Sequence, residues 1–116
     1  MPLVIQQRRA GDVVILDLNG RLWILDLPLR DLMNDLLTEG QRCFVLNLTG
    51  VSYIDSSGLG QLITIWTSIR NRDGHMTILN PTKRVQRLLE ITRLDAVFKI
   101  LENENEAIQS VRKASA

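Results

Sequence analysis

The residues best placed to do chemistry are Asp55-Ser56-Ser57-Gly58, followed by Leu59-Gly60, because two hydroxyls stand directly before an apolar periodic run. Leu59, Leu62, Ile63, Trp66 and Ile69 have the spacing of one helix face, so the serines fall at the start of its first turn. Unpaired N–H groups and the positive end of the helix dipole make that turn suited to a phosphate. Gly58 and Gly60 would also lie in it, each costing about 1 kcal/mol relative to alanine. Such a cost calls for close approach of backbone, either to a neighbouring strand or to a bound anion or partner. The same letters also fit a plain N-cap, Asp55 or Ser56, with glycines as packing spacers. Local chemistry leaves both readings open.

The elements that must position this turn alternate between short apolar runs and helical spacing. Leu3-Val4-Ile5 and Val13-Val14-Ile15-Leu16 flank Ala10-Gly11-Asp12, which predicts an antiparallel hairpin. Leu29, Leu32, Met33, Leu36 and Leu37 predict a helix capped by Asp26, with Pro28 in its first turn and Gly40 ending it. Phe44-Val45-Leu46-Asn47-Leu48 reads as a strand buried on both faces. After the second helix, which stops near Arg72-Asp73-Gly74, Met76-Thr77-Ile78-Leu79 is another internal strand. Thr82 begins a helix carrying Val85, Leu88 and Leu89, and Val97-Phe98-Lys99-Ile100 reads as a short edge strand. Asn103 and Glu106 form a capping box for a last helix with Ala107, Ile108 and Val111.

This order predicts an α/β fold: a mixed, mostly parallel sheet of four or five strands, an N-terminal β-hairpin and about four helices, with right-handed crossovers. Loops at the carboxyl ends of parallel strands gather on one rim, where open α/β sheets place function. Three qualify: Gly20-Arg21-Leu22-Trp23, Val51 to Gly58, and Asn80-Pro81-Thr82.

Bulk properties narrow the classes. At 116 residues the chain, 1–116, is read as one domain. With 45% hydrophobic and 23% charged residues it is ordinary globular material, not a disordered tract. A net charge of +1 gives no general pull toward nucleic acid or acidic membranes. One cysteine, Cys43, excludes an internal disulfide and a cysteine-cluster metal site, and its apolar setting predicts a buried thiol. Neither a leader pattern nor a run long enough for a membrane span is present, so the expected location is cytoplasmic.

Tyr53-Ile54-Asp55-Ser56-Ser57-Gly58-Leu59-Gly60, after the strand Val45-Leu46-Asn47-Leu48, resembles the signature of the anti-sigma-factor antagonists, the STAS domain family. The likeness is collinear over nearly the whole chain. It takes in Gly20, Asn80-Pro81 and the tail from Leu88-Leu89 through Ile91-Thr92, Leu94 and Val97-Phe98 to Ile100. The resemblance implies a non-enzymatic partner switch. The dephosphorylated domain binds an anti-sigma factor that is also a serine-protein kinase, freeing a sigma factor, and a PP2C-type phosphatase resets the cycle. It implies Ser56 as phosphoacceptor, with Ser57 the second choice. Asp55 would shape the loop, and Gly58 and Gly60 would let partner backbone approach. The implied partner surface is Arg21, Trp23, Ser52, Tyr53, Asp55, Ser56, Ser57, Gly58, Leu59 and Gly60. No metal, cofactor or nucleic acid is implied, and the expected state is a monomer or weak homodimer. A second reading is a constitutive interaction subunit, docked for example on a transporter ATPase without phosphorylation.

Two positions depart from the family pattern. Gly20-Arg21-Leu22-Trp23 carries a cation and an aromatic where an acidic residue is usual, and Trp23 fits a core position or a partner anchor. Arg93 stands where glycine is common. Other signals carry less. His75, the single histidine, is expected on the surface after Asp73-Gly74, at the far end of its strand from Ser56, so a Ser-His-Asp hydrolase is not supported. There is no P-loop, and nothing independent supports a nucleotide hydrolase. Lys83, Arg84, Arg87 and Arg93 fit a solvated helix face or a patch for an acidic partner. Trp66 and Met33 are expected in the core.

Overall fold

In the computed structural model, which describes residues 3–23 and 27–115, Gly11 turns the chain with φ +62° between two antiparallel strands, β1 (Val4–Ala10) and β2 (Val13–Leu22). The predicted hairpin therefore forms. Helix α1 (Leu27–Thr38) leads to β3 (Cys43–Ile54), α2 (Ser56–Asn71) to β4 (His75–Leu79), and α3 (Lys83–Ile91) with a 3-10 turn (Leu94–Ala96) to β5 (Lys99–Leu101). Helix α4 (Glu104–Ser115) ends the described chain. The sheet order is β1-β2-β3-β4-β5, parallel from β2 onward. This is the α/β architecture expected, with five strands and four helices.

Burial on both faces explains the unbroken apolar runs. Val14, Leu16, Leu18, Phe44, Leu46 and Ile78 face the core shared with α1, α2 and α3. Val13, Ile15, Cys43, Val45 and Leu79 face Ala107, Ile108 and Val111 of α4. Cys43 is a buried free thiol within 3.6 Å of the Val111 carbonyl. Helix ends follow local chemistry. Gly40, at φ +97°, closes α1 with bonds from its N–H to Leu37 and from the Gln41 N–H to Leu36. Thr82 caps α3, and Asn103 accepts from the Glu106 N–H at 3.0 Å. The expected Asp26 cap lies outside the described residues.

Several boundaries and faces differ from the sequence reading. Strands β2 and β3 do not stop at Gly20 and Leu48. They run on together to Leu22 and Ile54, absorbing two register shifts, because Leu22, Val51 and Ile54 are buried and reward continued pairing. Ile63 was expected on the core stripe of α2 but is 41% exposed, and Ile65 takes its place. Strand β5 begins at Lys99, since Leu94–Ala96 forms the 3-10 turn and leaves Val97 exposed. Met33 is in the core, whereas Trp66 is half-buried, its ring edge-on to Phe98 at 6.4 Å. His75 begins β4 and is half-buried, with its Nδ1 3.0 Å from Arg70.

Arg93, the departure from glycine, adopts φ +62°, ψ 19° at the start of the 3-10 turn. A left-handed conformation costs a side-chain-bearing residue about 1–2 kcal/mol, partly offset by the greater unfolded-state freedom of glycine. Arg93→Gly is therefore expected to raise stability by about 0.5–1 kcal/mol, read as a higher urea midpoint at unchanged slope. A lower midpoint would show that the arginine side chain holds the turn.

Candidate functional site: the rim around Ser56

The first turn of α2 is fixed from below. Asp55, in extended conformation, is the N-cap, and its Oδ1 accepts from the Gly58 N–H at 2.8 Å. Gly58 is buried so tightly that a Cβ there would lie 2.2 Å from the Leu22 carbonyl oxygen and 2.8 Å from Ile54 Cγ1. Leu59 is 6% exposed and belongs to the core. Both residues therefore hold the turn in place, and neither presents a side chain outward. A Cβ on Gly60, in contrast, would meet nothing within 4 Å.

That leaves Ser56 as the exposed hydroxyl at the first helical position, with Ser57 half-buried beside it. The N–H groups of a first helical turn have no intrahelical acceptor, and the dipole places partial positive charge there. Ser56, Gly60, Ile63 and Thr67 recur at helical spacing along the exposed side of α2. No charged residue occurs in α2 before Arg70, so this outward stripe is uncharged. Thr64 and Thr67 turn their hydroxyls back onto the Gly60 and Ile63 carbonyls at 2.9 and 2.8 Å, which makes the stripe less polar still. Sequence reasoning missed Ile63 as a surface residue. The signal available was its position seven residues after Ser56 on one helix side.

Beside the helix, the extended ends of β2 and β3 form a two-stranded ribbon beyond the last β3–β4 pair, Asn47 with Leu79. Ser52 and Tyr53 lie on this ribbon, not in a loop. Tyr53 is 37% exposed, with the Arg21 guanidinium 5.8 Å from its ring centroid. Ser52 donates to the Gly20 carbonyl at 3.3 Å. Trp23 is half-buried, and its carbonyl accepts from Gln61 Nε2 at 2.6 Å. Gln61 is a second missed residue: a polar group 8% exposed that ties the β2 exit to the serine-bearing helix.

The three rim segments are fastened by a chain of polar contacts. Arg8 grips Asp17 with two bonds of 2.6 and 2.9 Å, and Asn47 donates to Asp17 at 2.8 Å. The bonded guanidinium, aided by Asn47, outweighs desolvation and holds the Asp17 carboxyl below the usual carboxylate range. Thr49 donates to Asn47, and Asn80 donates to Thr49 at 3.1 Å. Thr82 reaches the Val51 carbonyl at 3.5 Å. His75 lies at the opposite end of its strand from this rim, and Lys83, Arg84, Arg87 and Arg93 are exposed. Among the described residues no group of His, Cys, Asp and Glu could hold a metal ion, and no helix is long and apolar enough to cross a membrane.

Known proteins share this family and fold. The STAS domain family model matches residues 5–107. A Thermotoga maritima protein assigned to the anti-sigma factor antagonists is 35% identical over 106 residues, covering 90% of this chain and 94% of its own. The anti-sigma-B factor antagonist of Staphylococcus aureus is 32% identical over 84 residues, 72% of this chain and 78% of its own. A crystal structure from Thermotoga maritima, assigned to the same group, superposes with a TM-score of 0.85 at 33% identity, covering 93% of this chain and 94% of that one.

Proposed function

The chain belongs to the STAS domain family, and from that premise we propose that it is an anti-sigma factor antagonist whose binding is switched by phosphorylation of Ser56. The observation that carries this reading is the exposed Ser56 hydroxyl at the head of the uncharged stripe Ser56, Gly60, Ile63 and Thr67. A partner would cover that stripe, with Tyr53, Arg21 and Trp23 beside it as anchors. The chain supplies no catalysis. In its dephosphorylated form it sequesters an anti-sigma factor that is also the serine kinase, and so frees a sigma factor. A PP2C-type phosphatase restores the binding form.

The switch follows from electrostatics. A phosphate on Ser56 adds about −1.5 to −2 charge next to Asp55, on a surface whose outward stripe has no cation to receive it. In the free domain that charge meets water and the helix N-terminus. In the complex it would be desolvated against an apolar face. Ser57, being half-buried, is the poorer acceptor.

Mass spectrometry of the chain isolated from its host, with and without stress, tests the assignment. One phosphate on the peptide containing Ser56, changing in occupancy between conditions, is expected. Absence of phosphate in every condition, even after incubation with host lysate and ATP, would sink the switch and favour a constitutive docking subunit.

A further inference from the structure

At the end of the sheet opposite Ser56, the first residues of β4 open into a groove of about 500 Å³. It exists because β5 pairs with β4 only from Thr77 onward, leaving His75 and Met76 with β3 on one side and no strand on the other. Met76 and Val111, both buried, contribute apolar floor, and the Thr77 and Ser110 hydroxyls satisfy one another at 2.7 Å. Half-buried Trp66 and Val97, 45% exposed, form an apolar wall.

The charge around this groove has one sign. Arg70, Lys99 and Lys113 are exposed along it, His75 also lines it, and none of its described lining residues is a carboxylate. None of these four takes part in the ion pairs of the described residues, which join Arg8 with Asp17 and Glu104, and Arg112 with Asp12. Arg70 instead lies 3.0 Å from His75 Nδ1. The larger groove beside α3 is different: its cations Lys83, Arg84, Arg87 and Lys99, the last shared with the smaller groove, stand with Glu90, Asp95, Glu102 and Glu106. Its field is therefore internally compensated. Arg70 and Lys113 line the smaller groove alone, with no carboxylate among its described lining residues, next to an aromatic wall and a strand end.

We propose that this groove docks an extended acidic segment of a partner protein, with a bulky apolar side chain seated against Trp66 and Val97. An extended chain matches the bare end of β4, alternate carboxylates reach Arg70 and Lys113, and the side chains between them face the apolar wall. A polypeptide fits better than nucleic acid, since the charge is local and the whole chain carries only +1. The groove lies at the opposite sheet end from Ser56, so its occupancy is independent of the phosphorylation state proposed above.

The test is fluorescence polarisation of the full chain with a short fluorescein-labelled peptide alternating glutamate and leucine. Saturable binding is expected, weakened by salt and reduced about tenfold or more in Arg70→Glu/Lys113→Glu. Lys83→Glu/Arg84→Glu and Ser56→Asp should bind as the unmodified chain does. Should the charge reversal lower the thermal midpoint, Arg70→Gln/Lys113→Gln is used in its place and must still lose binding. Absence of binding at low salt, or equal loss in the Lys83/Arg84 variant, would overturn the proposal. So would displacement of the peptide by a single-stranded oligonucleotide at equal charge concentration. Self-association of the chain that Glu102→Lys/Glu104→Lys abolishes would give the groove to a second copy instead, and would equally overturn it.

Discussion

Ser56→Asp is expected to fold like the unmodified chain and to lose partner affinity by about a hundredfold, the equivalent of about 3 kcal/mol. The two halves of that expectation have separate physical origins. Folding is spared because Ser56 is exposed at the first helical position, where a carboxylate stabilises the helix dipole by about 0.3–1 kcal/mol. The thermal midpoint should therefore stay level or rise slightly. Binding is lost because the new charge stands beside Asp55 at the head of the uncharged α2 stripe, where a partner must displace its water. Ser56→Ala should bind in all conditions and resist release. The measurement is calorimetric titration against the protein that co-purifies with the unmodified chain. Undiminished binding by a folded Ser56→Asp protein would remove Ser56 from the interface.

The strand and helix order was legible because both kinds of burial leave a clear trace. Continuous runs such as Phe44-Val45-Leu46 mark strands covered on two faces, and Leu29, Leu32, Met33 and Leu36 mark a helix covered on one. What stayed hidden depended on tertiary contacts. The continuation of β2 and β3 rests on register shifts next to Asn19 and Arg21, and polar letters there read as a loop. The rotation of α2 was misjudged because Gln61 is polar yet buried, its amide bonded to the Trp23 carbonyl, while Ile63 is apolar yet exposed. A hydropathy stripe weights those two residues the wrong way round. The motif itself was legible as a helix start. Which of its glycines faces inward was not, since that is set by the Leu22 carbonyl, thirty-six positions before Gly58 in the chain (58 − 22).

The two glycines of the motif are predicted to respond to alanine in opposite directions. In Gly58→Ala the added Cβ would stand 2.2 Å from the Leu22 carbonyl oxygen, and Leu22 cannot retreat cheaply because it is paired with Ile54 and fully buried. Alanine gains about 1 kcal/mol in helix propensity, but overpacking against fixed backbone costs more, about 1–3 kcal/mol and occasionally beyond. The clash with backbone, not a flexible side chain, places this case at the upper end. A net loss of about 2 kcal/mol is therefore expected, visible as a lower urea midpoint at unchanged slope. In Gly60→Ala the Cβ enters open space, so the propensity gain should appear undiminished, at about 1 kcal/mol. Stability and binding then separate the two roles a glycine can have here. If α2 meets its partner along the Ser56, Gly60 and Ile63 stripe, Gly60→Ala will be the more stable protein and the weaker binder, because the methyl group holds the partner off the helix. Unchanged affinity in that stabilised variant would take Gly60 out of the contact and leave docking to Ser56 and Ile63 on either side of it.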